Sequence, residues 1–183
     1  MSFLYKLNIP EWLIDLINKP LSSKDIKKYI PKCNIVRYID LFQYDTIDQL
    51  LGPIGICFIL YHSSINFGHW VLLSRRDNNT LEFFDSYGSS LDDILEKTDF
   101  EHGAQFNKET GIKSLSILIA SSKYNTIINN STQLQYKDNN VQTCGRHCIA
   151  RVMFNQMDLD EYVKMFLLMD LKMRDIFVTM SVK

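Results

Sequence analysis

Three short segments carry side chains able to do nucleophilic chemistry: Gly68-His69-Trp70, Phe84-Asp85-Ser86-Tyr87-Gly88 and Thr143-Cys144-Gly145-Arg146-His147-Cys148. Cys144 stands where an apolar run begins. Ile149, Ala150, Val152, Met153 and Phe154 cover most of a helical circumference, which marks a buried, central helix. A thiol at the start of such a helix meets unpaired backbone N–H groups and the positive end of the helix dipole. Both stabilise a thiolate, and a protonated imidazole beside it would lower its pKa further. Gly145 leaves room for a substrate backbone to approach closely. Cys148, one turn further in, reads as a small core residue. His147 lies three residues from Cys144 on the same helix, lacks in-line geometry with it, and reads as structural or surface.

The base and the acid that orients it are expected on a hairpin. Arg75-Arg76-Asp77-Asn78-Asn79 is a turn-forming run between two apolar segments. A hairpin centred on Asp77 would set Leu73 opposite Leu81, Val71 opposite Phe83 and His69 opposite Asp85. Directly opposed Cβ atoms lie about 4.5–5.5 Å apart, within reach of an imidazole–carboxylate hydrogen bond. Trp70, Leu72 and Phe84 would then share the other face, and a one-residue slip would bring Ser86 opposite His69. Singly, a histidine in an apolar strand is an ordinary core residue and an aspartate before Tyr87-Gly88 an ordinary turn former. In register they form the orienting half of a triad.

Attack on a carbonyl also requires donors for the oxyanion. The Cys144 N–H is one. A side-chain amide from the preceding polar segment is a second, with Gln133, Gln135 and Gln142 as candidates. Gln142 is too close in sequence to fold back over the thiol, and Gln135 is the choice, with Gln133 its rival. A non-catalytic metal module is the alternative of another class, with Cys144, His147 and Cys148 as ligands and His69 or Cys57 as a fourth. Cys-x-x-x-Cys on one helix is poor tetrahedral spacing, so no metal or other cofactor is expected.

These residues need a scaffold. Trp12, Leu13, Leu16 and Ile17 recur at helical spacing between Pro10 and Pro20, and Ser22 or Ser23 can cap a second helix carrying Ile26, Tyr29 and Ile30. Strands are expected over Ile54–Leu60, Phe67–Ser74, Leu81–Tyr87 and Lys113–Ala120. A helix capped by Ser89 or Ser90 is expected from Leu91 to Lys97, with Asp92 and Asp93 in its first turn. Asn125 to Gln142 reads as a polar connection, followed by the Cys144 helix and by helices over Leu159–Met169 and Leu171–Met180. The class is α+β: a small mixed or antiparallel sheet flanked by helices.

The chain has 183 residues, 46% hydrophobic and 22% charged, with a formal net charge of -1. This fits a single domain, 1–183, with a substantial core, and gives no bulk electrostatic reason for nucleic-acid binding. The basic run Lys24, Lys27, Lys28, Lys32, Arg37 reads as a solvated helix face. The four cysteines show no disulfide framework, Met1 to Pro20 lacks a signal-peptide pattern, and Ile54 to Tyr61 is too short to span a bilayer. A protein of a reducing compartment, without membrane insertion, is the expectation.

The order His69, Asp85, Cys144 and the motifs around each resemble the superfamily that holds adenain and the proteases of ubiquitin-like modifiers. Papain-like enzymes proper have the cysteine first. The resemblance spans about Asp40 to Met153, and the Thr-Cys-Gly-Arg-His-Cys form is most similar to the adenain-type proteases of virophages and Maverick/polinton elements. It implies a papain-like cysteine peptidase core in the adenain arrangement, with Cys144 as nucleophile, His69 as base, Asp85 as acid and Trp70 as a wall of a narrow substrate tunnel that favours Gly at the cleaved site. It implies a protease that matures capsid or other virion precursors in the host cytoplasm, the virion or both, and a monomer suffices for this chemistry. A peptide or DNA activator is left open. The family's oxyanion glutamine lies six or seven residues before the cysteine. Those positions here are Asp138 and Lys137, so Gln135 would require a small insertion. A deconjugating isopeptidase for ubiquitin-like modifiers would use the same chemistry.

Overall fold

The computed structural model describes residues 9–62, 68–90 and 114–183. Pro10 precedes α1 (Glu11–Asn18), which buries Leu13, Ile14 and Ile17 and leaves Trp12 half exposed. α2 (Ser23–Tyr29) begins with a capping box between Ser22 and Asp25. Then come β1 (Asn34–Arg37), a 3-10 turn (Tyr38–Gln43), α3 (Ile47–Leu51), β2 (Ile56–His62), β3 (Gly68–Arg75) and β4 (Thr80–Phe84). The remainder is α4 (Ser114–Ala120), β5 (Thr126–Asn129), α5 (Cys144–Met153), α6 (Leu159–Leu167) and α7 (Leu171–Ser181).

The five strands form one mixed sheet in the order β1-β2-β3-β4-β5. β2, β3 and β4 are antiparallel neighbours, and β1 and β5 add in parallel at the edges. Strand alternation sorts the core into two layers. Phe58, Trp70, Leu72 and Phe84 face α5 together with Cys148, Ile149, Tyr162 and Phe166. Cys57, Ile59, Val71, Leu73, Leu81 and Phe83 face the layer formed by the 3-10 turn, α3 and α4. The central strands are therefore covered on both faces.

Three expectations need correction. Residues 114–120 are helical, because Leu115 and Leu118 bury at i, i+3 spacing while Ile117 is 61% exposed. The hairpin is centred on Asn78: Leu73 pairs with Phe83 and Arg75 with Leu81. The Asp77 carboxylate accepts from the N–H groups of Asn79 and Thr80 at 2.7 and 2.8 Å, which places the apex one residue later. The stretch from Asn125 to Gln142 is not wholly irregular, since it contains β5. The expected helix over Leu91–Lys97 and the strand start at Phe67 lie outside the described residues.

α5 is pinned to the sheet at its far end by a buried pair. Arg151 Nε and Nη2 meet Glu82 Oε1 and Oε2 at 2.6 and 2.8 Å, and both side chains are 1% exposed. Arg151 also donates to the Phe154 and Met157 carbonyls, so its donors are well used. Near the other end, buried Arg146 reaches the carbonyls of Lys19 and Val182, drawing α1 and the chain terminus around the same helix.

Candidate active site

His69, the second residue of β3, sends Nε2 to Asp85 Oδ1 at 2.5 Å. Asp85 follows β4 directly and is 1% exposed. Its Oδ1 also accepts from Tyr87 N at 3.1 Å and its Oδ2 from Ser89 N at 3.0 Å. Asn130, just beyond β5, clamps the Asp85 backbone from both sides: its Oδ1 accepts from Asp85 N at 3.0 Å and its Nδ2 donates to Asp85 O at 2.6 Å. The corrected register sets Asp85 diagonal to His69, and continuing the ladder would bring Tyr87 opposite it. The Tyr87 ring indeed stacks on the imidazole, with centroids 4.7 Å apart and planes at 18°. Gly88 (φ 71) closes this turn. A Cβ there would fall 2.6 Å from the Thr132 carbonyl carbon, so glycine is required both by the backbone and by the neighbouring strand exit.

With Nε2 on Asp85, the other imidazole nitrogen serves Cys144, to which His69 is hydrogen-bonded. Burial would push the Cys144 thiol up, but the His69 hydrogen bond and charge and the N–H groups of Trp70 and Gly145 outweigh it and hold it below 9.0. Burial would likewise lower the His69 pKa. The Asp85 charge and hydrogen bond, then those of Cys144, prevail and push it up to about 10. Burial raises the Asp85 carboxyl, and the His69 charge and the three hydrogen bonds overcome that and lower it. The three groups together favour a thiolate–imidazolium pair braced by a carboxylate. Such a pair titrates as a unit.

A protein of Sputnik virophage named "Uncharacterized protein V9" is 36% identical over 145 residues, which make up 79% of this chain and 81% of V9. The chain belongs to the V9 family. No family model matches it. Kinship with V9 makes this a virophage-type protein, and the chemistry of the V9-family chain has to be read from its own site.

The other residues expected at the site take different places. Trp70 is 5% exposed and its Nε1 donates to Leu21 O at 2.9 Å, so the indole is a core side chain behind the site more than a wall open to substrate. The space beside Gly145 is filled by this chain itself: an added Cβ would lie 3.1 Å from Trp70 Cδ1 and 3.3 Å from Leu21 Cβ. Gly145 thus admits the α2 approach and Trp70, not a substrate backbone. Gln135 is 1% exposed, with Oε1 accepting from Ser86 Oγ at 2.7 Å and Nε2 donating to Val141 O at 3.0 Å. It braces the Asp85 turn against the segment that leads to Cys144, in place of the oxyanion role expected of it. Gln133 and Gln142 donate to the carbonyls of Gln135 and Asn139. The backbone N–H groups at the start of α5 remain as oxyanion donors, because a first helical turn has no internal acceptors for them.

Among the described residues the ligands named for the metal alternative do not converge. Cys144 faces His69, Cys148 donates to Trp70 O at 3.4 Å, and His147 Nε2 faces Asp175 Oδ1 at 3.0 Å. Among the described residues no group of three or more His, Cys, Asp or Glu could hold a metal ion. Likewise, no described helix is long and apolar enough to cross a membrane. Sequence reasoning missed Tyr87, Asn130 and Asp175. Tyr87 stands in the quoted Asp85 motif and could have been read from it, whereas Asn130 and Asp175 carry no local signal.

Proposed function

We propose that this chain is a cysteine endopeptidase, folded as one papain-like domain in the adenain arrangement, that cleaves virion precursor proteins, capsid proteins foremost, at Gly-containing sites. The observation that carries the reading is the line Asp85–His69–Cys144, with the thiol at the N-terminus of a buried helix. In this reading the Cys144 proton resides on His69, and the thiolate attacks the scissile carbonyl carbon. The oxyanion is held by N–H groups of the first turn of α5. His69 then gives its proton to the departing amine as the C–N bond breaks, leaving a thioester on Cys144. Water, deprotonated by His69, cleaves the thioester and releases the second product and the thiolate. Asp85 keeps the imidazole oriented and charged throughout. The residues use no metal or cofactor for these steps, and one copy of the chain supplies all of them. The work would be done in the host cytoplasm and the assembling virion, in keeping with the virophage family.

Activity-directed probes test this reading. A vinyl-sulfone peptide built on a capsid-precursor junction should label Cys144, with the adduct mapped by mass spectrometry. Preferential labelling by a ubiquitin-like-modifier vinyl sulfone would move the substrate class to conjugated modifiers. Labelling by neither probe, in a folded protein, would contradict the peptidase reading.

A further inference from the structure

Asp175 on α7 is a buried carboxylate, 1% exposed, that takes hydrogen bonds from three places around the nucleophile. Its Oδ1 accepts from Thr143 Oγ1 at 2.5 Å and from His147 Nε2 at 3.0 Å, and its Oδ2 accepts from Tyr136 N at 2.9 Å. Thr143 directly precedes Cys144 and His147 lies one turn beyond it. His147 is wholly buried, and among the described residues its Nδ1 has no hydrogen-bond partner, so Asp175 supplies the ring's hydrogen bond.

The consequence lies in what Thr143 does not do. Threonine before a helix ordinarily turns its hydroxyl onto an N–H of the first turn. Other helices of this chain follow that rule: Ser22 (ψ 167) accepts from Asp25 N, Thr46 (ψ 155) from Gln49 N, and Asp170 (ψ 161) from Lys172 N and Met173 N. Thr143 departs from it, with φ -101, ψ 2 and no side-chain cap bond. Its hydroxyl is drawn away to Asp175, and the first-turn amides of the one helix that carries the nucleophile are left uncapped.

Resting on the peptidase reading, we infer that Asp175 is a positioning residue that holds the Thr143 hydroxyl off the first turn of α5, keeping its backbone N–H groups open for the thiolate and the oxyanion. The C-terminal helix thereby becomes part of the catalytic apparatus. Without Asp175 nothing ties the hydroxyl down, and Thr143 is free to swing from ψ 2 to the extended backbone of the other caps, which places its hydroxyl on those N–H groups in competition for them. Cys144 is acted on by His69 from β3 and by the N–H groups of Trp70 and Gly145. It is charge-coupled to Tyr87 after β4 and to Arg146 and Cys148 on α5, and Asp85 bears on it through His69, while Asp175 stands behind the neighbouring Thr143. Loss of the Asp175 charge alone would favour the thiolate. A slower thiol in its absence therefore has the opposite sign to a simple charge effect.

The test is a mutant cycle on the full chain: wild type, Asp175→Ala, Thr143→Val and the double variant. The readouts are the pH profile of Cys144 alkylation by iodoacetamide, mapped by mass spectrometry, and kcat and KM on a capsid-junction peptide. D175A should alkylate about 5–10-fold more slowly at pH near 6, the size expected when a cap bond takes up an N–H. It should lose kcat more than KM. Adding T143V should restore most of the rate, because the competing hydroxyl is gone; a merely structural loss would not recover. Should D175A fail to fold, Asp175→Asn serves the same cycle, since a neutral acceptor holds the hydroxyl less firmly and the rescue keeps its sign. A D175A rate equal to or above wild type, or no recovery in the double variant, overturns the inference. Wild-type Cys144 reacting no faster than an ordinary thiol would instead sink the peptidase reading on which it stands.

Discussion

Replacing Asp85 by Asn removes the negative charge at one end of the Asp85–His69–Cys144 line while keeping the side-chain shape. His69 is pushed up to about 10 from an ordinary 6.5. At about 1.4 kcal/mol per pH unit, that gap corresponds to on the order of 5 kcal/mol in favour of the imidazolium. Asp85 and Cys144 share it, with Asp85 the larger contributor, and burial works against both. If Asp85 supplies about half, D85N forfeits roughly 2–3 kcal/mol, which is on the order of a 50-fold smaller population of the thiolate–imidazolium pair. The amide also disturbs the set of three hydrogen bonds from His69, Tyr87 N and Ser89 N, because its NH2 end cannot accept. The assay is the rate of Cys144 alkylation by iodoacetamide at about pH 6, where an ordinary thiol is almost wholly protonated, with circular dichroism to establish the fold. A fall of roughly 50-fold or more in a folded D85N fits the reasoning, with the magnitude good to a few-fold. A folded D85N that reacts within about twofold of wild type would refute it, because the carboxylate would then not sustain the pair.

Cleavage should follow a bell-shaped pH profile, its acid limb below the ordinary thiol value of 9.0 and its alkaline limb near the His69 value of about 10. The same shift sets a stability dependence: His69 contributes fully below its unfolded value near 6.5 and loses that contribution as pH rises through about 10. Wild type should therefore lose its thermal advantage over His69→Gln across that interval, and melting curves at several pH values check it. Glu82→Ala should destabilise the fold by about 3–5 kcal/mol in urea titration, because it strands the buried Arg151 guanidinium without its partner. Gly88→Ala forces a Cβ to within 2.6 Å of the Thr132 backbone at a positive φ. It should cost roughly 2–4 kcal/mol and reduce cleavage by moving the Asp85 turn, read by melting temperature and kcat together.

Much of the site was legible because its members sit in short, locally coded segments. The apolar run after Cys144 announces a buried helix, and period-two alternation in 69–73 and 81–85 places Val71, Leu73, Leu81 and Phe83 on one face, as observed. The register was two residues off in its sum because one carboxylate, Asp77, decides where the turn closes, and sequence offers several turn formers in a row. β1 and β5 escaped notice because four-residue edge strands such as Asn34–Arg37 and Thr126–Asn129 are too short to show a period. Residues 114–120 were misread because Ser-Leu-Ser-Ile mimics strand alternation, and only the partner layer reveals which of those side chains bury. Gln135 and Asp175 belong to a harder class. Their roles depend on contacts with Ser86, Val141, Thr143 and His147 that no local pattern encodes.

The most direct measurement is cleavage of co-expressed capsid precursor by wild type, Cys144→Ala and Cys148→Ala, with the fold of each variant established. Cys148 is buried one turn deeper, its thiol is raised well above 9.0 by burial and then by Cys144 and Asp85, and it donates to Trp70 O, so it is the matched control. The account predicts that wild type and C148A trim the precursor and that C144A, folded, does not. Trimming by folded C144A at the wild-type rate would contradict it.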